Sequence, residues 1–122
     1  MIYTSLPQLS GFLLEESYVL DIEARPSSVS FALDLVLTPE HPHYADPAPG
    51  EQHCFRRGHI EFLGVRRLLW TAQGAPPARD ASGEVDYGNI DSFNFSDLGY
   101  ELEGSWGRME LQVDEVRAVL EP

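Results

Sequence analysis

The chain has 122 residues and carries 20 acidic side chains against 8 from Lys and Arg, giving a formal net charge of -12. All of these basic residues are arginine. Proteins that bind nucleic acid or anionic membranes neutralise phosphate groups with clustered Lys and Arg, so this balance argues against both partners. The composition, 43% apolar and 23% charged, is typical of a globular protein, and the length predicts one domain over residues 1–122.

Cysteine content and the N-terminal sequence bear on the compartment. Cys54 is the only cysteine, which excludes a disulfide within the chain and fits a reducing environment. The N-terminus has no basic segment followed by a long apolar run, and nowhere does the sequence approach the roughly 18 apolar residues of a membrane span. We therefore expect a cytoplasmic protein. The all-arginine basic set, with many Ala, Gly and Pro, is typical of a GC-rich bacterial genome.

The N-terminal half predicts one short helix followed by strands. Leu6, Leu9 and Leu13 have the spacing of a weak amphipathic helix. Apolar and polar residues then alternate over Tyr18–Ala24 and over residues 29–37, with an Arg-Pro-Ser-Ser turn between the two runs. This pattern predicts a β-hairpin.

Two loops and a third strand follow. Four prolines lie within residues 38–51, and Gly74, Pro76 and Pro77 lie within residues 72–83, so we predict a long loop in each range. The run Cys54–Leu63 alternates, and Gly64 can bend the chain before a further strand at 65–71.

Residues 84–93 predict a tight hairpin around Gly88-Asn89, a dipeptide that tolerates positive φ. That register places Tyr87 opposite Ile90 and Asp86 opposite Asp91. Because like charges directly across a ladder are unfavourable, we expect an arginine, a bound cation or a cationic partner to neutralise the two carboxylates.

The C-terminal residues predict further strands. Tyr100, Leu102 and Trp106 share one parity, residues 104–107 form a turn, and the apolar parity changes near Asp114, which requires a bulge or a bend. Together these signals predict an all-β, mainly antiparallel single domain, a sandwich or barrel of seven to eight strands.

The histidines define one alternative function. Imidazole is a preferred ligand of zinc and similar divalent metals, and all four histidines lie within nineteen residues of each other in the sequence: His41, His43, His53 and His59. Their convergence at one barrel mouth would make a metal-binding or small-ligand β-barrel, with catalysis left open. The usual nucleophile-elbow, phosphate-loop and zinc-helix motifs are absent from the sequence, which points away from an enzyme.

The charge is unevenly distributed along the chain. Residues 1–50 carry a formal charge of -6, residues 51–82 carry +2, and residues 83–122 carry -8. Aromatic residues are dense in the last segment, and aromatic anchors beside carboxylates suit a basic protein partner. The residues predicted to bind that partner are Asp86, Tyr87, Asp91, Asp97, Glu101, Glu103 and Trp106.

In being short, acidic and without catalytic motifs, the chain resembles the small bacterial immunity proteins that neutralise toxins. The resemblance is one of class and carries no specific motif. It implies a non-catalytic protein that binds a protein partner and needs no cofactor. An uncharacterised all-β domain with some other protein partner fits the sequence nearly as well.

Overall fold

The computed structural model describes residues 1–73, 78–79 and 85–122. Two 3₁₀ turns, Tyr3–Ser5 and Leu14–Glu16, precede the first strand. The strands in chain order are β1 (Tyr18–Ala24), β2 (Ser28–Leu37), β3 (Cys54–Leu63), β4 (Arg67–Thr71), β5 (Ala78–Arg79), β6 (Val85–Asp86), β7 (Ser92–Ser96), β8 (Gly99–Gly104), β9 (Gly107–Gln112) and β10 (Glu115–Leu120).

The strands form two four-stranded antiparallel sheets. The first sheet has the order β1-β2-β3-β10 and the second has the order β4-β9-β8-β7, while β5 and β6 form a separate short pair. Within the described residues the sheets do not close into a barrel. The prediction of an all-β antiparallel fold is therefore confirmed, and the architecture is a sandwich.

The core lies between the two sheets and follows from the alternation. The inward positions of β2, among them Val29, Phe31 and Leu33, are fully buried, as are Ile60 and Phe62 on β3. Second-sheet residues close the core from the other side: Phe93, Leu102, Met109 and Leu111. Aromatic rings pack across the interior, since Phe31 meets Trp106 edge to face at a centroid distance of 5.1 Å.

The elements predicted from the strongest sequence patterns are present in the structure. The β1–β2 hairpin pairs Ala24 with Val29 and Tyr18 with Asp34, and a register shift between Val19 and Asp21 interrupts the ladder. Strand β3 spans the predicted range Cys54–Leu63. Gly64 takes a positive φ of 66°, the backbone conformation that ends β3 and turns the chain towards β4.

The parity change near Asp114 marks the passage of the chain from one sheet to the other. Strand β9 pairs with β4 and β8 in the second sheet, whereas β10 pairs with β3 in the first. The inward residues change from Met109, Leu111 and Val113 to Val116 across this short connection, and a bend in the backbone absorbs the change of parity. The predicted irregularity is therefore a bend between two strands.

The N-terminal segment forms only the two 3₁₀ turns, and no α-helix occurs in the described residues, so the predicted short helix is wrong. Residues 38–53, all described, contain no strand or helix, as predicted for the first loop. Of the second predicted loop, residues 74–77 and 80–83 lie outside the described residues, and Ala78–Arg79 form β5.

The predicted hairpin over residues 84–93 is also wrong. Asp86 pairs with Ala78, while the backbone N–H of Tyr87 donates to the Val19 carbonyl at 2.8 Å. Strand β7 begins at Ser92 and pairs with β8. Gly88 does have a positive φ, 83°, but this turn leads to the edge of β1, so Asp86 and Asp91 are not cross-strand neighbours.

Candidate partner-binding face

The outer face of the second sheet carries the polar positions that alternate with the core residues. Strand register places side chains from four strands in rows across it. One row contains Leu69, Glu110, Glu101 and Asn94, and the next contains Thr71, Arg108, Glu103 and Ser92. We call this surface, with Arg67 and Gln112 at its end, the second-sheet face.

Two glutamates lie directly opposite each other at the centre of the second-sheet face. Glu101 on β8 is the cross-strand partner of Glu110 on β9, and like charges in that position destabilise a sheet. One arginine serves both, because Arg108 Nη2 lies 3.6 Å from Glu101 Oε2 and 3.8 Å from Glu110 Oε1. Both distances exceed the usual length of an N–H···O hydrogen bond, about 2.7–3.2 Å. The pair is therefore only partly neutralised.

On the outer face of the first sheet, acids and arginines are better matched. Arg57 Nε lies 3.1 Å from Asp34, and Arg117 Nε lies 2.9 Å from Glu61, both at hydrogen-bond distance. Adjacent strands supply the two members of each pair. On the second-sheet face, by contrast, Arg108 is too far from Glu101 and Glu110 for a hydrogen bond of the usual length. The arginine therefore leaves acceptor sites of these two glutamates unfilled.

A groove of about 340 Å³ runs beside the β7–β8 turn, at one end of the second-sheet face. The tip of that turn is Leu98, which is 84% exposed, and its carbonyl accepts a hydrogen bond from Gln112 Nε2 at 3.4 Å. The residues that line it include side chains of mixed chemistry, among them Arg67, Leu98, Glu101, Glu110 and Gln112. The groove is therefore bounded by one exposed leucine, two carboxylates and one guanidinium.

The residues predicted to bind a partner are divided by the fold. Glu101 and Glu103 lie on the second-sheet face, and Asp97 is exposed in the turn beside it. Asp91 is exposed just before β7, and its N–H donates to the Glu103 carbonyl at 2.8 Å. Four of the seven predicted residues therefore lie on or next to one surface.

The other three lie elsewhere or are buried. Asp86 is half-buried, and its Oδ1 accepts a hydrogen bond from the Gly88 N–H at 2.8 Å. Tyr87 packs against the core. Trp106 is only 3% exposed, and its indole N–H donates to the Asn89 carbonyl at 3.0 Å. Trp106 belongs to the core and is removed from the predicted surface, where the exposed apolar groups include Leu69 and Leu98.

Two important residues of this face were missed by sequence reasoning. Glu110 and Arg108 were not among the predicted binding residues, although the signal for them was present. The turn at residues 104–107 was predicted, and a two-residue connection at Ser105-Trp106 fixes the register of its flanking strands. That register alone pairs Glu101 with Glu110 and Glu103 with Arg108.

The structure brings two of the four histidines together. His41 and His43 have ring centroids 5.7 Å apart, and the His43 N–H donates to His41 Nδ1 at 3.0 Å. His53 contacts Phe55 edge to face, and His59 lies further along β3, beside a groove on the first sheet. Throughout the described part of the chain, no group of three or more His, Cys, Asp or Glu side chains is arranged to hold a metal ion.

His41 is the histidine with the most distinct environment. Its ring packs on Phe12 at a centroid distance of 4.9 Å. Burial, followed by the charges of His43 and Arg56, lowers the pKa of His41 below its ordinary value. This loop residue is held in place by ring packing and by the hydrogen bond that its neutral nitrogen accepts.

Across the described ranges, no helix has the length and apolar character needed to cross a lipid bilayer. Comparison of the chain with protein-family models, with curated proteins and with solved structures gave no match.

Proposed function

We propose that this chain is a non-catalytic binding protein that engages a basic protein partner through the second-sheet face. The observation that carries the proposal is the opposed pair Glu101 and Glu110, which share one arginine at distances beyond hydrogen bonding. A cationic group from a partner would relieve the repulsion that the free protein retains. Glu103 and the nearby Asp97 extend the negative surface.

Apolar contact and charge are available on the same surface. Leu69 is 42% exposed in the row that contains Glu101 and Glu110, and Leu98 projects from the adjoining turn. Charge complementarity accelerates encounter and selects partners, while apolar groups exclude water once the partner is bound. In this proposal the chain acts in the bacterial cytoplasm in the manner of the small acidic immunity proteins.

Binding of a hexa-arginine peptide, measured by fluorescence anisotropy, tests whether the second-sheet face binds cationic groups. The double variant Glu101→Gln/Glu103→Gln removes two charges from it, and Glu16→Gln/Glu40→Gln removes two charges from exposed positions elsewhere. We expect the first variant to weaken binding about tenfold, or about 1.4 kcal/mol, and the second to weaken it less than about twofold, because solvent and salt screen distant charges. Equal losses would show that only net charge matters.

The immunity role has its own test. The chain is co-expressed in bacteria with the product of the gene adjacent to its own, and growth is compared with that of cells expressing the gene product alone. The proposal expects growth inhibition that the chain relieves and that Glu101→Lys/Glu103→Lys fails to relieve. A charge-reversed variant that protects as well as the native chain would contradict the proposed face.

A further inference from the structure

We propose that the groove beside Leu98 holds one arginine side chain of the basic partner. This inference rests on the proposed function and specifies which chemical group of the partner anchors the complex. Glu101 and Glu110 both line the groove, whereas Arg108, which approaches the same carboxylates, does not. The groove therefore gives a second cation access to the glutamate pair from the side opposite Arg108.

The distances to Arg108 leave hydrogen-bonding capacity at the glutamates. Arg108 Nη2 is 3.6 Å from one carboxylate and 3.8 Å from the other, so its attraction to them is mainly coulombic. A carboxylate has about four acceptor sites. A guanidinium entering along the groove can donate to both carboxylates at once, because its N–H groups form a planar fork.

The walls of the groove favour arginine over a compact cation. Leu98, which is 84% exposed, provides apolar surface beside the carboxylates, and the methylene stem of an arginine packs on apolar groups while its charged end reaches polar ones. Lysine can use the same stem contacts, but its ammonium is a more strongly hydrated point charge. We therefore expect arginine to bind more tightly than lysine.

Arg67 should weaken the binding of a cation in the groove, in contrast to the glutamates. It lines the same groove, and its charge opposes a cation bound at Glu101 and Glu110. Removing it should strengthen binding, whereas removing Arg25, an exposed arginine in the β1–β2 turn paired with Glu23 at 2.8 Å, should have a much smaller effect. The two variants change the net charge equally, so a difference between them reports position.

The experiment is an NMR titration of the full-length ¹⁵N-labelled chain with N-acetyl-arginine amide. N-acetyl-citrulline amide, which has the same shape without the charge, and N-acetyl-lysine amide serve as comparison ligands. We expect millimolar binding, since the ligand is small, with the largest shifts at the amides of Leu98, Tyr100, Glu101 and Glu110. Citrulline should cause no comparable shifts. Arginine-induced shifts that are absent, or that centre on the first sheet, would overturn the proposal.

Matched variants locate the site within the face. Glu110→Gln changes a groove residue and Glu103→Gln changes a glutamate of the same face outside it, while Leu98→Ser and Leu69→Ser make the same comparison for apolar side chains. We expect the groove variants to weaken N-acetyl-arginine amide binding about threefold to fivefold, and the others less than about twofold. Arg67→Gln should tighten it about twofold.

The measurements distinguish an error in the proposed arginine groove from an error in the proposed binding role of the second-sheet face. If Glu101→Gln/Glu103→Gln weakens hexa-arginine binding but groove and non-groove variants affect N-acetyl-arginine amide equally, the face stands and the arginine groove is wrong. If the hexa-arginine peptide also fails to distinguish the face variant from Glu16→Gln/Glu40→Gln, both proposals are wrong.

Discussion

Tyr3 is a core residue whose hydroxyl group ties the N-terminal segment together. The side chain is 2% exposed, its hydroxyl donates to Glu15 Oε1 at 2.5 Å, and it accepts a hydrogen bond from the Leu14 N–H at 3.0 Å. Burial and the bond to Glu15 raise the pKa of Tyr3 above its ordinary value. The hydroxyl therefore stays protonated as a donor throughout the neutral range.

Replacing Tyr3 by Phe should destabilise the protein by about 1–3 kcal/mol, because the buried Leu14 N–H loses its acceptor. The free energy of unfolding from urea denaturation measures the effect. Tyr18→Phe is the matched control, since Tyr18 is 41% exposed, and we expect a change below about 0.5 kcal/mol there. Equal effects at the two positions would show that the Tyr3 hydroxyl contributes nothing to stability.

His41 should make stability depend on pH. Its pKa is lowered in the folded protein, so on acidification the unfolded chain takes up a proton first. The free energy of unfolding should therefore fall as the pH drops through about 6.5, the ordinary histidine value, until the folded form is protonated as well.

Urea denaturation between about pH 7.5 and about pH 5.5 measures this slope. His41→Gln removes the titrating group, and we expect a shallower dependence in that variant whatever its absolute stability. A slope identical to that of the native chain would rule His41 out as the source.

At the scale of the elements, the close packing of β8 against β9 depends on a glycine. Gly99 begins β8 with a φ of 127°, and a Cβ there would collide with the Leu111 carbonyl. Gly50 also has a positive φ, 85°, but a Cβ at that position would meet open space. The two positions therefore separate backbone strain from steric collision.

Gly50→Ala should cost about 1–2 kcal/mol from the left-handed backbone alone, and Gly99→Ala should cost clearly more because β8 must also move away from β9. Chemical denaturation of the two variants measures the difference. An equal cost would mean that the ladder accommodates the methyl group freely and that only φ matters.

Predictability also varied between elements, for physical reasons. The β1–β2 hairpin and β3 were predictable from alternation because these strands bury side chains on one face and carry polar side chains on the other. Alternation of this kind is a property of the local sequence. The hairpin expected around Gly88-Asn89 failed although its turn chemistry is real. Hydrogen bonds from Tyr87 to Val19 and from Asp91 to Glu103 direct this segment to two different partners, and distant pairing of this kind leaves no local pattern.

For the molecule as a whole, the net charge of -12 should make salt stabilising. Self-repulsion among the acids is greatest in the compact folded state, and salt screens it. Ion pairs such as Arg25–Glu23 are exposed and contribute little that salt could remove. We therefore expect the melting temperature to rise between about 20 mM and about 200 mM NaCl.

KCl at the same concentrations is the control for specific ion binding, and it should give the same increase. A melting temperature that falls with both salts would show that attractive ion pairs outweigh the repulsion. For the proposed partner the expectation is opposite, because salt screens the attraction between the acidic face and a basic protein and should slow their association.

Alternation, turn residues and composition were sufficient to predict the all-β class, the main strands, the turn at residues 104–107 and the acidic C-terminal segment. These follow from side-chain parity and turn length, which act between neighbouring residues. The packing of the two sheets was needed to show which carboxylates share a surface, that Trp106 fills the core instead of marking a binding site, and that a groove opens beside Leu98. These features depend on how the two sheets pack and on where the chain crosses between them. Both are determined by the packing of side chains in the core that the sheets share.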